Sequence, residues 1–271
     1  MFSEFIGRVL ARAAEIARHH SGRVSAMVKA GDQNQVVTAA DLEVGKQIIA
    51  AIQAAYPEHA ILDEEAGAFD AVSDGTGAVF TWVVDPIDGT SNFAAGVPTY
   101  AIMLGLLRDN VPYAGGLALP AFGEIYVAER GHGAFLADYR LKVRDEPSLA
   151  SVLVAYGLDG AADAPERTRL ECAVLAEIAL RARNVRISNS AFDVAMLLKG
   201  GYGAVLNQST RIWDNVAQHV LVEEAGGLYT SFFGEPLDYS RPLTRGETTY
   251  SYCAAPPMLH AAVQRVIAAQ R

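Results

Sequence analysis

The chain has 271 residues, 51% hydrophobic and 20% charged, with a formal net charge of −9. That length holds one large or two ordinary domains, and the composition is that of a soluble globular protein. An acidic balance without any clustered run of Lys and Arg excludes nucleic acid as the main partner, and no apolar stretch approaches the length of a membrane span. Cys172 and Cys253 lack the paired spacing of a zinc or redox motif, so they read as free buried thiols in a reducing cytoplasm. The first residues carry Glu and Arg in an amphipathic pattern, unlike the apolar segment of a signal peptide, and the expected location is cytoplasmic.

Residues 3–20 place Phe5, Ile6, Val9, Leu10, Ala13 and Ile16 at helical spacing, which predicts an amphipathic first helix. A second helix is predicted over 41–55, stopped by Tyr56-Pro57. Asp41 either caps that helix or takes part in chemistry, and both readings stay open. Ala60-Ile61-Leu62 is a short strand that runs into Asp63-Glu64-Glu65. Such an acidic run is ordinarily an exposed loop, but acid delivered at a strand end favours a functional role.

The most informative stretch is Trp82-Val83-Val84-Asp85-Pro86-Ile87-Asp88-Gly89-Thr90-Ser91-Asn92-Phe93, an apolar strand that breaks at Asp85-Pro86 into a turn and then offers a helix start. Asp85 and Asp88 can present hard oxygens to Mg²⁺. Pro86 removes a donor and stiffens the turn, so the Ile87 carbonyl can also be aimed at a metal. Gly89 permits close approach of the backbone to a ligand, and N–H groups of Thr90-Ser91-Asn92 at a helix start suit an anion. A solvated turn is the plain alternative, yet the whole string is far more specific than an Asp-Gly pair. If the strands ending at Leu62 and Val84 are sheet neighbours, their acidic ends meet.

Strands at 101–107 and 113–119 joined by Arg108-Asp109-Asn110, followed by 124–129 and 134–136, predict an antiparallel meander, with Gly131-His132-Gly133 as a tight hairpin turn. The polar, Pro-containing stretch at Asp145-Glu146-Pro147-Ser148 predicts a boundary between an N-terminal α+β part, 1–147, and a C-terminal α/β part, 148–271. Beyond it, strands at 151–156, 185–187, 203–206, 228–232 and 250–254 interleave with helices at 166–183, 191–198, 213–222 and 257–270. That alternation predicts sheets sandwiched by helices. Asp214 falls in the first turn of its helix, where capping and chemistry are both open. His219 in the same helix reads as a packed or surface residue. Neither a Gly-x-Ser-x-Gly elbow nor a P-loop is present, and the six histidines show no metal-type spacing.

Three motifs occur in order: Leu62-Asp63-Glu64-Glu65, the Trp82 to Phe93 string, and Trp213-Asp214-Asn215-Val216-Ala217 running into Glu224-Ala225-Gly226-Gly227. Weaker agreement covers Val37-Thr38-Ala39-Ala40-Asp41 and Glu129-Arg130-Gly131-His132-Gly133-Ala134-Phe135. On these motifs the chain resembles the inositol monophosphatase family of lithium-sensitive, magnesium-dependent phosphatases. The resemblance implies a mixed α/β fold layered α-β-α-β-α, a homodimer, and hydrolysis of a small phosphate monoester. It also implies that Glu64, Asp85, the Ile87 carbonyl, Asp88 and Asp214 hold two or three Mg²⁺ ions, with Asp85 bridging two. Glu64 and Thr90 would orient the attacking water, with Asp41 behind Thr90. Gly89 and Thr90 N–H groups would hold the phosphate, and Asp88, Ser190 and Asn207 would face the substrate.

Charge agrees with that ligand set: clustered carboxylates repel one another unless cations are present. The substrate side departs from the family. Ser188-Asn189-Ser190-Ala191 stands where Gly-Ser/Thr-Ala-Ala is usual, and Asn207 replaces a glutamate that touches substrate hydroxyls. An uncharged amide donates as well as accepts, so hydroxyl recognition must change. The expected substrate is an inositol monophosphate or a similar polyol or sugar phosphate. Alternatives are histidinol phosphate, fructose 1,6-bisphosphate, a 3′-phosphoadenosine nucleotide, or a catalytically idle dimeric regulatory protein.

Overall fold

The apolar stripe of the N-terminal segment forms α1 (Phe2–His20), with Ile6, Leu10, Ala13 and Ala17 wholly buried. The computed structural model describes residues 1–22, 27–28, 36–71, 78–162 and 164–270. A short antiparallel pair, β1 (Met27–Val28) and β2 (Val36–Val37), leads into α2 (Ala39–Ala55). There follow β3 (Ala60–Asp63), β4 (Gly67–Phe69), β5 (Phe80–Asp88) and the five-residue α3 (Thr90–Ala94). The meander is β6 (Ala101–Arg108), β7 (Val111–Leu119), β8 (Glu124–Glu129), β9 (Gly133–Leu136) and β10 (Tyr139–Arg140). The remainder supplies β11 (Leu153–Gly157), α4 (Pro165–Ala179), β12 (Asn184–Arg186), α5 (Phe192–Leu198), β13 (Ala204–Thr210), α6 (Ile212–Glu224), β14 (Leu228–Thr230), β15 (Tyr250–Ala255) and α7 (Pro257–Ala268).

An eight-stranded sheet has the order β10-β9-β8-β7-β6-β5-β3-β4, and a five-stranded sheet the order β12-β11-β13-β15-β14. α1 and α2 cover one face of the larger sheet, and α6 packs on the other. α5 and α6 also meet the smaller sheet, whose far face is closed by α4 and α7. Strand alternation assigns the layers: Val154, Tyr156, Ala204 and Leu206 point toward α4 and α7, whereas Ala155 and Val205 join the α5–α6 core. The result is the expected α-β-α-β-α stack. Among the described residues no helix is long and apolar enough to cross a membrane.

Two glycines let α6 sit flush on the larger sheet. A Cβ at Gly115 would lie 2.8 Å from Ala217 Cα and 2.9 Å from its carbonyl oxygen, and one at Gly105 would lie 2.6 Å from Val216 Cγ1. Only residues without a side chain allow this approach. At the other end of the meander, Asp109 and Asn110 both take positive φ, 52° and 65°, the paired left-handed conformation that suits a two-residue hairpin turn.

Several expectations need correction. β5 does not stop at Val84; it continues through Pro86 to Asp88, with a shift of register between Asp85 and Asp88. Pro86 is tolerated because the irregularity takes its position out of the regular ladder. α4 ends at Ala179, short of 183, and β13 runs on to Thr210. Cys253 is buried as expected, but Cys172 is exposed. β1, β2, β4 and β10 are too short to announce themselves by periodicity.

Candidate active site

β3 and β5 are parallel neighbours, with Leu62 opposite Val83 and Asp63 opposite Val84. The two acidic strand ends therefore do meet, and the Glu64 N–H donates to the Val84 carbonyl at 3.2 Å. α6 brings the third segment from the far end of the chain. A cleft of about 340 Å³ opens there, lined by Glu64, Asp85, Ile87, Asp88, Gly89, Thr90, Ser190, Asn207 and Asp214 together with residues that the sequence did not mark. Oxygens of Asp85, Asp88 and Asp214 lie within 4.8 Å of one another. Glu64 lines the same cleft without joining that trio. Asp41 does not line it but stands behind Thr90.

Local structure aims each group. Thr38 is the N-cap of α2, not Asp41; Asp41 sits in the first turn and accepts from the Thr38 N–H at 2.8 Å and the Thr38 hydroxyl at 2.6 Å, both through Oδ2. Its Oδ1 is 3.3 Å from the Thr90 hydroxyl, which is also 2.8 Å from the Ile87 carbonyl. Asp214 repeats the arrangement on α6, accepting the Arg211 N–H through Oδ2. Gly89 takes φ 75°, turning the chain from β5 into α3. Asp88 Oδ2 accepts the Ala191 N–H. Asp63, by contrast, is buried and closes its own turn, with Oδ1 accepting from the Glu65 and Ala66 N–H groups.

On the substrate side, Ser190 is buried against Gly89 and its hydroxyl accepts from the Phe192 N–H at 3.3 Å. Asn207 lies against Gly157, and its side-chain oxygen accepts the Ser209 N–H at 2.8 Å. Sequence reasoning used only the backbone of Asn92 and missed its side chain, whose amide donates to the Thr99 and Ser188 carbonyls at 2.8 and 2.7 Å and so ties α3 to the 188–191 loop. It gave no separate role to Asn189, which is held at φ 50° and donates to Asp159 at 2.8 Å. Arg211 and Gln218 complete the floor near Asp214. An Asn beside Ser in a Gly-poor loop, and a polar residue four positions after Asp214, were the available signals. His219 is packed, as read: it stacks on Tyr229 and meets the Tyr239 hydroxyl at 3.0 Å.

Electrostatics test whether cations suit this place. Burial, then the neighbouring charges of Glu64, Asp88 and Asp214, push the Asp85 carboxyl well above the usual carboxylate range. Burial and the Asp214 charge do the same to Asp88. Burial pushes Asp214 up to about 6, against the lowering effect of the Arg211 N–H. Asp85 is 1% exposed, and its Oδ1 has no hydrogen-bond partner. A buried carboxylate oxygen without a donor, beside other carboxylates, is a costly arrangement that a cation relieves. The donors are all hard oxygens, the set that Mg²⁺ prefers. The residues present therefore fit a divalent ion, with Asp85, Asp88 and Asp214 offering the converging oxygens.

The chain matches the model of the inositol monophosphatase family over residues 3–268. It is 31% identical over 228 residues to the inositol-1-monophosphatase of Bacillus subtilis, covering 84% of this chain and 81% of the relative. It is 32% identical over 194 residues to the fructose-1,6-bisphosphatase/inositol-1-monophosphatase of Aquifex aeolicus, covering 68% and 67%. Identity to the Nus factor SuhB of Pseudomonas aeruginosa is 33% over 205 residues, covering 75% and 74%. Among solved structures, the Thermotoga maritima IMPase superposes with a TM-score of 0.83 at 26% identity, covering 98% of this chain and 96% of the other. A match along nearly the whole chain, with a shared fold and an acid-lined cleft where the motifs converge, makes this chain a member of the inositol monophosphatase family.

Proposed function

We propose that the protein is a Mg²⁺-dependent phosphatase that hydrolyses a small phosphate monoester, an inositol monophosphate or a similar polyol or sugar phosphate. The observation that carries this reading is the convergence of Asp85, Asp88 and Asp214 oxygens within 4.8 Å on the floor of an open cleft. Two or three Mg²⁺ would supply charge neutralisation and Lewis-acid polarisation there. Glu64, Asp85, the Ile87 carbonyl, Asp88 and Asp214 are the proposed ligands.

Thr90 has one hydroxyl proton and two acceptors within reach, so it donates to one at a time. With the Ile87 carbonyl occupied elsewhere, that proton goes to Asp41, and the Thr90 oxygen is left to accept from a water. Glu64 would hold the second proton of the same water, which fixes it for in-line attack on phosphorus. Gly89 and Thr90 N–H groups would hold phosphate oxygens, and the polar rim at Asp88, Ser190 and Asn207 would receive the alcohol. The same reading includes a homodimer, a cytoplasmic location and lithium inhibition.

The SuhB relatives, named as Nus factors, favour a second reading in which the chain serves as a regulatory protein. The ligand set Glu64, Asp85, Asp88 and Asp214 favours the enzyme. Phosphate release from a panel of inositol, sugar, histidinol and nucleotide phosphates, with and without Mg²⁺, separates the two. Mg²⁺-dependent turnover of a polyol or sugar phosphate is expected; no release from any substrate leaves the regulatory reading.

A further inference from the structure

Gln218 lies one helical turn beyond Asp214 on α6, lines the cleft and is 2% exposed. Its amide nitrogen donates to the main-chain carbonyl of Asp214. A carbonyl can only accept, so this bond decides which end of the amide is nitrogen and which is oxygen. The oxygen, Oε1, is buried and has no hydrogen-bond partner. Packing does not require this arrangement, because a side chain of the same size without polar atoms would fill the space at no such cost.

Two buried oxygens in this cleft share that condition, Gln218 Oε1 and Asp85 Oδ1. A cation accounts for the Asp85 atom, and Gln218 lines the same cleft one turn along α6 from Asp214. An amide oxygen is a hard donor, and Mg²⁺ takes such oxygens directly or through the waters that it retains. It also adds no charge to a cleft already crowded with carboxylates. We propose that Gln218, through Oε1, is a neutral member of the cation site built on Asp85, Asp88 and Asp214. The proposal rests on the metal-site reading above and adds a residue that sets how tightly the ion is held.

Calorimetric titration of the EDTA-stripped full-length protein with MgCl₂, alongside melting in EDTA, tests it. Gln218→Met should weaken Mg²⁺ binding about tenfold, in the range found when groups supporting metal ligands are removed. Its melting point in EDTA should equal or exceed that of the parent, since the unpaired oxygen is gone and the Asp214 carbonyl keeps its helical partner. Gln218→Glu, which retains an oxygen at the same reach, should bind Mg²⁺ at least as tightly as the parent. Unchanged affinity in Gln218→Met, or equal weakening in Gln218→Glu, overturns the proposal. Asp85→Asn separates it from the reading beneath: if Asp85→Asn abolishes binding while Gln218→Met does not alter it, Gln218 alone falls; if neither changes binding, the metal site itself falls.

Discussion

Adjacent glycines on β7 allow the placement of α6 to be perturbed separately from the stability of the core. Gly115 faces α6 and Gly116 faces α1. A methyl at Gly115 would meet Ala217 backbone atoms at 2.8, 2.9 and 3.3 Å. Ordinary carbon contacts need roughly 3.5–4.0 Å, and helix backbone cannot turn aside as a side chain can. α6 must therefore lift by about 0.5–1 Å, at an overpacking cost of roughly 1–3 kcal/mol. In a chain of this size that lowers the melting point by about 2–4 °C per kcal/mol.

Asp214 rides on the same helix, two residues before Val216 and three before Ala217. A displacement near 1 Å at a reacting centre can cost about a hundredfold in rate. Gly115→Ala should therefore lose both stability and Mg²⁺-dependent phosphate release, with weaker Mg²⁺ binding by calorimetry. Gly116→Ala is the control: its methyl would meet Ile6 Cγ2 at 2.4 Å and Leu10 Cδ1 at 2.7 Å, on the face away from the cleft. It should lose comparable stability and keep most of its turnover. Parent-like turnover in Gly115→Ala, or an equal loss in Gly116→Ala, would refute the claim that these glycines position Asp214.

Asp85→Asn should nearly abolish turnover, yet raise the melting point in EDTA, because it removes a carboxyl whose ionisation burial and the charges of Glu64, Asp88 and Asp214 oppose; retention of most activity contradicts the site. Asp41→Asn should cost about 1 kcal/mol by weakening the cap of α2 and also slow turnover, since an amide nitrogen turned toward Thr90 cannot accept its proton; a stability loss alone would leave Asp41 a capping residue only. Burial pushes Asp214 up to about 6 from an ordinary 3.8, so the folded, metal-free protein holds a proton that the unfolded chain has released. That contribution is full below pH 3.8 and is lost as pH rises through about 6. EDTA-treated protein should thus be less stable at pH 8 than near pH 5, by about 1.4 kcal/mol from this group. Saturating Mg²⁺ should remove the difference, and a metal-free melting point that rises over this range would contradict the sign.

Long periodic elements were legible in the sequence because burial of one face dictates both their period and their partner. α1, the meander and the alternation after residue 148 follow from apolar spacing alone. The register shift in β5 was not legible, since Pro86 ordinarily ends a strand and only the pairing with β6 shows the chain carrying on to Asp88. The seating of α6 on Gly105 and Gly115 was equally hidden, because a glycine in a strand does not say what approaches it. On the substrate side, Ser190 and Asn207 do line the cleft, but backbone N–H groups already engage both side chains. Which polar atom is left for a ligand depends on these local bonds, and spacing in the chain does not reveal them.

At Asp41 and Asp214 the sequence posed capping and chemistry as alternatives, and the geometry leaves room for both. A carboxylate has two oxygens, and a helix start needs only one of them. Asp41 gives Oδ2 to Thr38 and has Oδ1 near Thr90; Asp214 gives Oδ2 to Arg211 while its carboxyl also meets Asp85. Asp88 is held in the same way, by the Ala191 N–H. Each anchoring bond freezes a rotamer that would otherwise be averaged among several, so the remaining oxygen is held in place before any ligand arrives. Asp85 follows the opposite rule: its Oδ1 is buried without a backbone donor, and it pays for that exposure to like charge until a cation comes. Oxygens fixed by helix starts and one left waiting are together what a cation-dependent site requires, because the first give geometry and the second gives the drive to bind.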